Sequence, residues 1–241
     1  MTKPATNAER IITALDVENR ERALALVRDL PAARVFKVGL ELFTAEGPPL
    51  LRDLKALGKD VFLDLKLHDI PNTVGEAVRI GVRHGAFMMT IHASGGFEMM
   101  ARAAAVGLEE SSKRGVPKPL LLGVTVLTSL KTEDLGSIGV AGDTAGQVRR
   151  LAGLAKKAGM DGIVCSAQEI EIVRAEVGPG ILIVTPGIRP AGAAVQDQKR
   201  VMTPALAVAK GTDYLVIGRP ITQAASPAEA FAGIVRELDA A

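Results

Sequence analysis

Hydrophobic and polar positions along the chain fall into two alternating regimes. Short aliphatic and β-branched runs are separated by Ala-rich stretches whose apolar residues follow a helical spacing. Eight runs read as strands: RIITALD (10 to 16), RVFKVG (34 to 39), DVFLDLKL (60 to 67), FMMTIHA (87 to 93), LLLGVTVL (120 to 127), GIVCSA (162 to 167), ILIVTPGI (181 to 188) and YLVIGRPI (214 to 221). Most are nearly continuously apolar, the pattern of strands buried on both faces of a parallel sheet. Eight such strands alternating with helices in 241 residues predict an α/β fold of the (β/α)8 TIM-barrel type.

Helix punctuation agrees. PNTVGEAVRIGVRHGA (71 to 86) opens on proline, has Asn72 or Thr73 available as a cap and closes at glycine, while SPAEAFAGIVRELDAA (226 to 241) begins with serine and then proline. A doubly wound open sheet alternates in the same way, but the first strand runs into DVENRERA and not into a Gly-rich dinucleotide fingerprint, so the closed barrel is preferred. The stretches 128 to 146 and 189 to 202 are structurally ambiguous, and each follows a strand. In a barrel enzyme the carboxyl ends of the strands carry the site, which makes both candidate active-site loops.

Composition narrows the classes. With 48% hydrophobic residues and no linker or repeat, a single domain over 1–241 is expected. The charges nearly balance, 29 basic against 27 acidic, so no general field draws in nucleic acid or a membrane surface and any anion binding must be local. A single cysteine, Cys165, excludes an internal disulfide. Its apolar context, the polar first nine residues and the lack of a run long enough to span a bilayer point to the cytoplasm.

Chemistry concentrates on the third strand. In DVFLDLKLHDIPNT, Asp64 and Lys66 stand two apart in an aliphatic run, so the pleat puts both on one face together with Phe62. Asp69 follows just before Pro71, and Lys37 lies on the preceding strand, a spatial neighbour in a barrel. A lone Asp–Lys pair could serve only to fix strand register. Alternating charge from Lys37, Asp64, Lys66 and Asp69 near one barrel mouth is harder to explain by packing. Asp16, ending the first strand, is a further candidate, with helix capping as its plainer role. At the other side, TPGIR and VIGRP end strands seven and eight, where barrels commonly bind phosphate. Gly218 would admit a phosphate to the backbone, with Arg219 and Arg189 supplying charge. The histidines, His68, His84 and His92, show no metal-ligand spacing and read as structural or surface residues, as Cys165 reads as core.

DLKLHDIPNTV closely resembles the Asp-x-Lys-x-x-Asp-I-P-x-T signature of orotidine 5′-monophosphate decarboxylases. The resemblance extends through ALD (14 to 16), FKVG (36 to 39), VTVLTS (124 to 129), TPGIR (185 to 189), DQKR (197 to 200) and VIGRP (216 to 220), in order from first strand to last. It implies decarboxylation of OMP to UMP without metal or other cofactor. Lys66 is then the proton donor, Asp64 lies near the departing carboxylate, and Lys37 and Asp69 hold the charge network and contact the ribose along with Asp16. Thr128 resembles the position that contacts the pyrimidine, and Gln198 the lid glutamine that grips phosphate, with Gln196 as a rival. Because the family's aspartate at the Asp69 position reaches into a neighbouring site, the resemblance also implies a homodimer with composite sites, Ile70 and Thr73 accompanying Asp69.

Two other readings compete. Magnesium-dependent phosphosugar enzymes of the same superfamily, such as 3-keto-gulonate-6-phosphate decarboxylase or hexulose-phosphate synthase, share Asp-x-Lys-x-x-Asp but lack the IPNTV that follows it here. A catalytically silent nucleotide-binding barrel would keep the phosphate grip, but the intact lysine and aspartates argue against lost chemistry.

Overall fold

The computed structural model describes residues 3–190 and 202–241. Eight parallel strands close into a barrel in chain order: β1 (Ile11–Ala14), β2 (Val35–Gly39), β3 (Asp60–Leu67), β4 (Met88–His92), β5 (Leu120–Val124), β6 (Gly162–Val164), β7 (Leu182–Pro186) and β8 (Tyr214–Ile217). β8 pairs back onto β1 through Ile11 and Leu215, which completes the ring. All eight predicted runs form strands. Five of them, all but β2, β3 and β4, end at least two residues earlier than the apolar pattern suggested, because the chain there turns outward to build the barrel mouth.

Alternation along the strands divides the apolar residues into two cores. Ile12, Val35, Phe62, Met88, Leu122 and Val184 fill the barrel interior. Their neighbours in sequence, such as Ile11, Phe36, Val61 and Ile183, face outward beneath the helices. Gly123 on β5 has no room for a side chain, since a Cβ there would stand 2.8 Å from the Ala155 Cβ. The floor is closed by Tyr214, whose burial pushes its hydroxyl up to about 12, so it serves as an uncharged filler at neutral pH.

The helix Pro71–Arg83 begins at its proline as predicted, but its cap differs. Ile70 occupies the capping position without a side-chain bond, and Asn72 and Thr73 lie inside the first turn. Proline at the first helical position needs no amide partner, so the entry dispenses with a polar cap. Ser226 does precede the helix Pro227–Asp239, also without a side-chain capping bond. Of the ambiguous stretch 128 to 146, residues Thr132–Ser137 form a short helix and a longer one starts at Thr144. Among the described residues no helix is long and apolar enough to cross a membrane.

Candidate active site

The carboxyl ends of the strands open onto a cavity of about 290 Å³. One wall is charged. Asp16, just past β1, accepts a hydrogen bond from Lys37 Nζ at 2.9 Å, and the same ammonium stands 3.8 Å from Asp64 Oδ2. Lys66 Nζ donates to Asp64 Oδ1 at 2.9 Å and to Oδ2 at 3.0 Å. The order Asp16, Lys37, Asp64, Lys66 thus alternates negative and positive across three adjacent strands. Side chains of Lys37 and Asp64 are only 12% and 13% exposed, against 59% for Asp16. Charges so enclosed are tolerable because each has an opposite partner at contact. The facing wall is apolar, with Val126, Leu127 and Ile188, and its rim carries Thr128. From the stretch 128 to 146, only Thr128 lines the cavity.

Lys66 reaches this position by a route that simple alternation does not describe. Its φ is +50°, the left-handed region, the only such case outside glycine among the described residues. β3 and β4 lose register there: Leu63 pairs with Met89 and Leu67 with Ile91, so Asp64, Leu65 and Lys66 oppose Thr90 alone. The bulge re-aims the lysine into the cavity at a local cost of about 1–3 kcal/mol for a non-glycine residue. Asp64, Lys66 and Phe62 all face the cavity as predicted, but the backbone between the two charges is bulged and not a regular pleat.

Arg189, Gly218 and Arg219 also line the cavity. Gly218 caps the short helix Arg219–Thr222 and lies close to β1, a Cβ there falling 3.4 Å from the Ala14 Cβ and 3.5 Å from Asp16 Oδ2. Arg189 is held by the backbone bond from its amide to the carbonyl of Met202, the last residue of the 189 to 202 stretch. Gln198 and Gln196 lie outside the described residues.

Asp69, Ile70 and Thr73 do not line the cavity of their own chain. All three are exposed, and the Asp69 carboxylate accepts from the Ile70 amide at 2.6 Å. Ile70 leaves 65% of its surface uncovered. Two features were not visible in the sequence. Gly39, at the end of β2, leaves the space that Lys37 Nζ occupies, since a Cβ there would sit 3.0 Å from that nitrogen. His68 and His92 pack with ring centroids 5.4 Å apart beside Lys66. Burial, then His68 and Lys66, lower the His92 pKa below its usual value, with a small opposing pull from Asp64, which keeps that ring uncharged at neutral pH. Cys165 lines the cavity as a buried thiol whose pKa is pushed well above the usual range by burial, which favours the protonated form.

A closed eight-stranded α/β barrel with a charged mouth defines the class as a TIM-barrel enzyme with a site at the carboxyl ends of its strands. The chain belongs to the orotidine 5′-phosphate decarboxylase / HUMPS family, whose model matches residues 9–234. It is 52% identical over 229 residues to an orotidine 5′-phosphate decarboxylase of Pseudomonas putida, covering 95% of this chain and 96% of that protein. A Pseudomonas aeruginosa protein of the same name is 54% identical, with 95% and 97% covered. The crystal structure of orotidine 5′-phosphate decarboxylase from Lactobacillus acidophilus superposes with a TM-score of 0.86 at 36% identity, over 96% of this chain and 99% of that one.

Proposed function

We propose that this chain, as one barrel domain, decarboxylates orotidine 5′-monophosphate to uridine 5′-monophosphate and CO2, the last step of de novo pyrimidine nucleotide synthesis, with Lys66 as the proton donor. The observation that carries this reading is the alternating run Asp16, Lys37, Asp64, Lys66 on one wall of a cavity that two arginines and Gly218 also line. The relatives that bear the decarboxylase name align over nearly the whole chain, which supports the same substrate.

Breaking the C6–carboxylate bond leaves its electron pair in an orbital that the pyrimidine ring cannot delocalise. Catalysis then requires a fixed positive charge at C6 and rapid protonation there. Lys66 answers both needs: its ammonium stabilises the developing carbanion, and transfer of one Nζ proton to C6 completes UMP and leaves a neutral amine to regain its proton from solvent. Asp64 sits where the substrate carboxylate would face it, and it also aims Lys66. Lys37 and Asp16 are suited to the ribose hydroxyls. Arg189, Arg219 and the Gly218 backbone, with Gln198, would hold the phosphate, and Thr128 the pyrimidine edge. Phosphate binding remote from C6 then contributes to transition-state stabilisation by fixing the ring against Lys66.

The exposed placement of Asp69, Ile70 and Thr73 supports a homodimer in which Asp69 completes the charge network of the partner's site. To test the reading, purified protein is mixed with OMP in EDTA-containing buffer and the fall in ultraviolet absorbance is followed. Wild type should turn over, and Lys66→Ala should be slower by about three orders of magnitude. A flat trace from folded wild type would replace this reading with a metal-dependent relative or a silent nucleotide binder.

A further inference from the structure

Thr90, in the middle of β4, is fully enclosed and does not line the cavity. It stands alone opposite the three bulged residues of β3. Its hydroxyl makes two bonds there. The Lys66 backbone amide donates to Oγ1 at 2.8 Å, and the hydroxyl donates its own hydrogen to Asp64 Oδ1 at 2.9 Å. One oxygen therefore holds both ends of the Asp64–Lys66 unit: the strained backbone of the lysine and the carboxylate that its ammonium contacts. The strain at Lys66 persists only where its surroundings over-determine it. Within the bulge the amide of Lys66 has no strand partner to hold it in the usual ladder, and Thr90 supplies the acceptor.

We infer that Thr90 is a positioning residue for the reaction, acting through Lys66 and Asp64 to hold the ammonium over the reacting carbon. This rests on the decarboxylase reading of the site. The residue type fits the task. A hydroxyl can accept and donate at once, which neither valine nor alanine can do, and branching at Cβ limits the rotamers of a buried threonine. Replacing it by valine leaves the Lys66 amide and one lone pair of Asp64 without their partner in an enclosed site, so the bulge gains a reason to relax. A shift of the order of 1 Å in a reacting group is enough to slow chemistry greatly. Since Thr90 does not line the cavity, ground-state binding of the nucleotide should not depend on it.

The test compares wild type with Thr90→Val, Thr90→Ser and Thr90→Ala, measuring kcat and KM on OMP, UMP affinity by calorimetry, and melting temperature. Thr90→Val is expected to lose about 10- to 100-fold in kcat with KM and UMP affinity within about twofold of wild type, the signature of an interaction that matters in the transition state. Thr90→Ser, which keeps the hydroxyl, should recover most of that loss. A Thr90→Val protein with unchanged kcat overturns the inference. So does a serine variant as impaired as alanine, because the residue would then act by filling space. If valine prevents folding, the serine and alanine pair decides alone: alanine slow and serine near wild type supports the role, and equal rates overturn it. Failure of wild type itself to turn over OMP would instead refute the decarboxylase reading, and the role with it.

Discussion

At Gly39 the absence of a side chain lets two charges meet. A methyl group there would lie 3.0 Å from Lys37 Nζ and 3.7 Å from Asp16 Oδ1. The lysine tip is the end of a flexible chain, so the fold can yield cheaply, but only by moving the ammonium away from Asp16 and Asp64. Gly39→Ala is therefore expected to cost about tenfold or more in kcat/KM on OMP while shifting the melting temperature by no more than about 2–4 °C. Full activity accompanied by a large loss of melting temperature would contradict that account. Asp64 and Lys66 were legible at this scale because two charges at period two in an aliphatic strand demand an explanation. The positive φ of Lys66 was not, since lysine has no propensity for it and the conformation is imposed from outside the residue.

Among the elements, the junction of β3 and β4 determines where Lys66 points, and the helix pair behind it determines where Asp69 sits. Helices Pro71–Arg83 and Phe97–Arg114 are pinned by Glu110, whose side chain is 2% exposed. Arg83 and Arg114 each donate to Glu110 Oε1 at 2.8 Å, and Arg79 to Oε2 at 3.1 Å. Hydrogen bonds from Arg83, Arg114 and Arg79 hold this carboxyl down to about 2, against 4.5 for an ordinary one. The folded pKa lies below the unfolded one, so the stabilisation is complete above about pH 4.5 and is lost as pH falls from there towards 2. Melting temperatures recorded across this window should fall less steeply for Glu110→Gln than for wild type, with the variant less stable at pH 7. Parallel curves would show that the arginines do not depend on the charge. The convergence of these residues on one carboxylate needed the packing of two helices.

For the whole molecule, the barrel explains why residues distant in sequence share one cavity, and the proposed dimer explains why Asp69 stands outside it. Mixed dimers test the composite site. Lys66→Ala and Asp69→Ala proteins should each be nearly inactive alone. Co-refolded in equal amounts, they would form hybrids in which one of two sites carries both native residues, restoring about a quarter of wild-type activity. No recovery, with hybrid dimers present, would mean that Asp69 serves its own chain or none. The same closure makes the interior core indivisible, because each strand contributes to a packing layer shared with strands across the ring. Removing one large side chain such as Phe62 from it falls in the range of about 3–5 kcal/mol.

The sequence by itself determined the number and order of the strands, the closure into an α/β barrel and the family, because hydrophobic period, helix punctuation and a spaced charge motif are local properties of the chain. It also marked Asp16, Lys37, Asp64, Lys66, Arg189, Gly218 and Arg219 as groups that a barrel would bring to one end. Tertiary structure alone decided the register slip that turns Lys66 inward, the fit of Thr90 into it and the space at Gly39. Each depends on which atoms of another strand or helix stand opposite, and no local pattern encodes that.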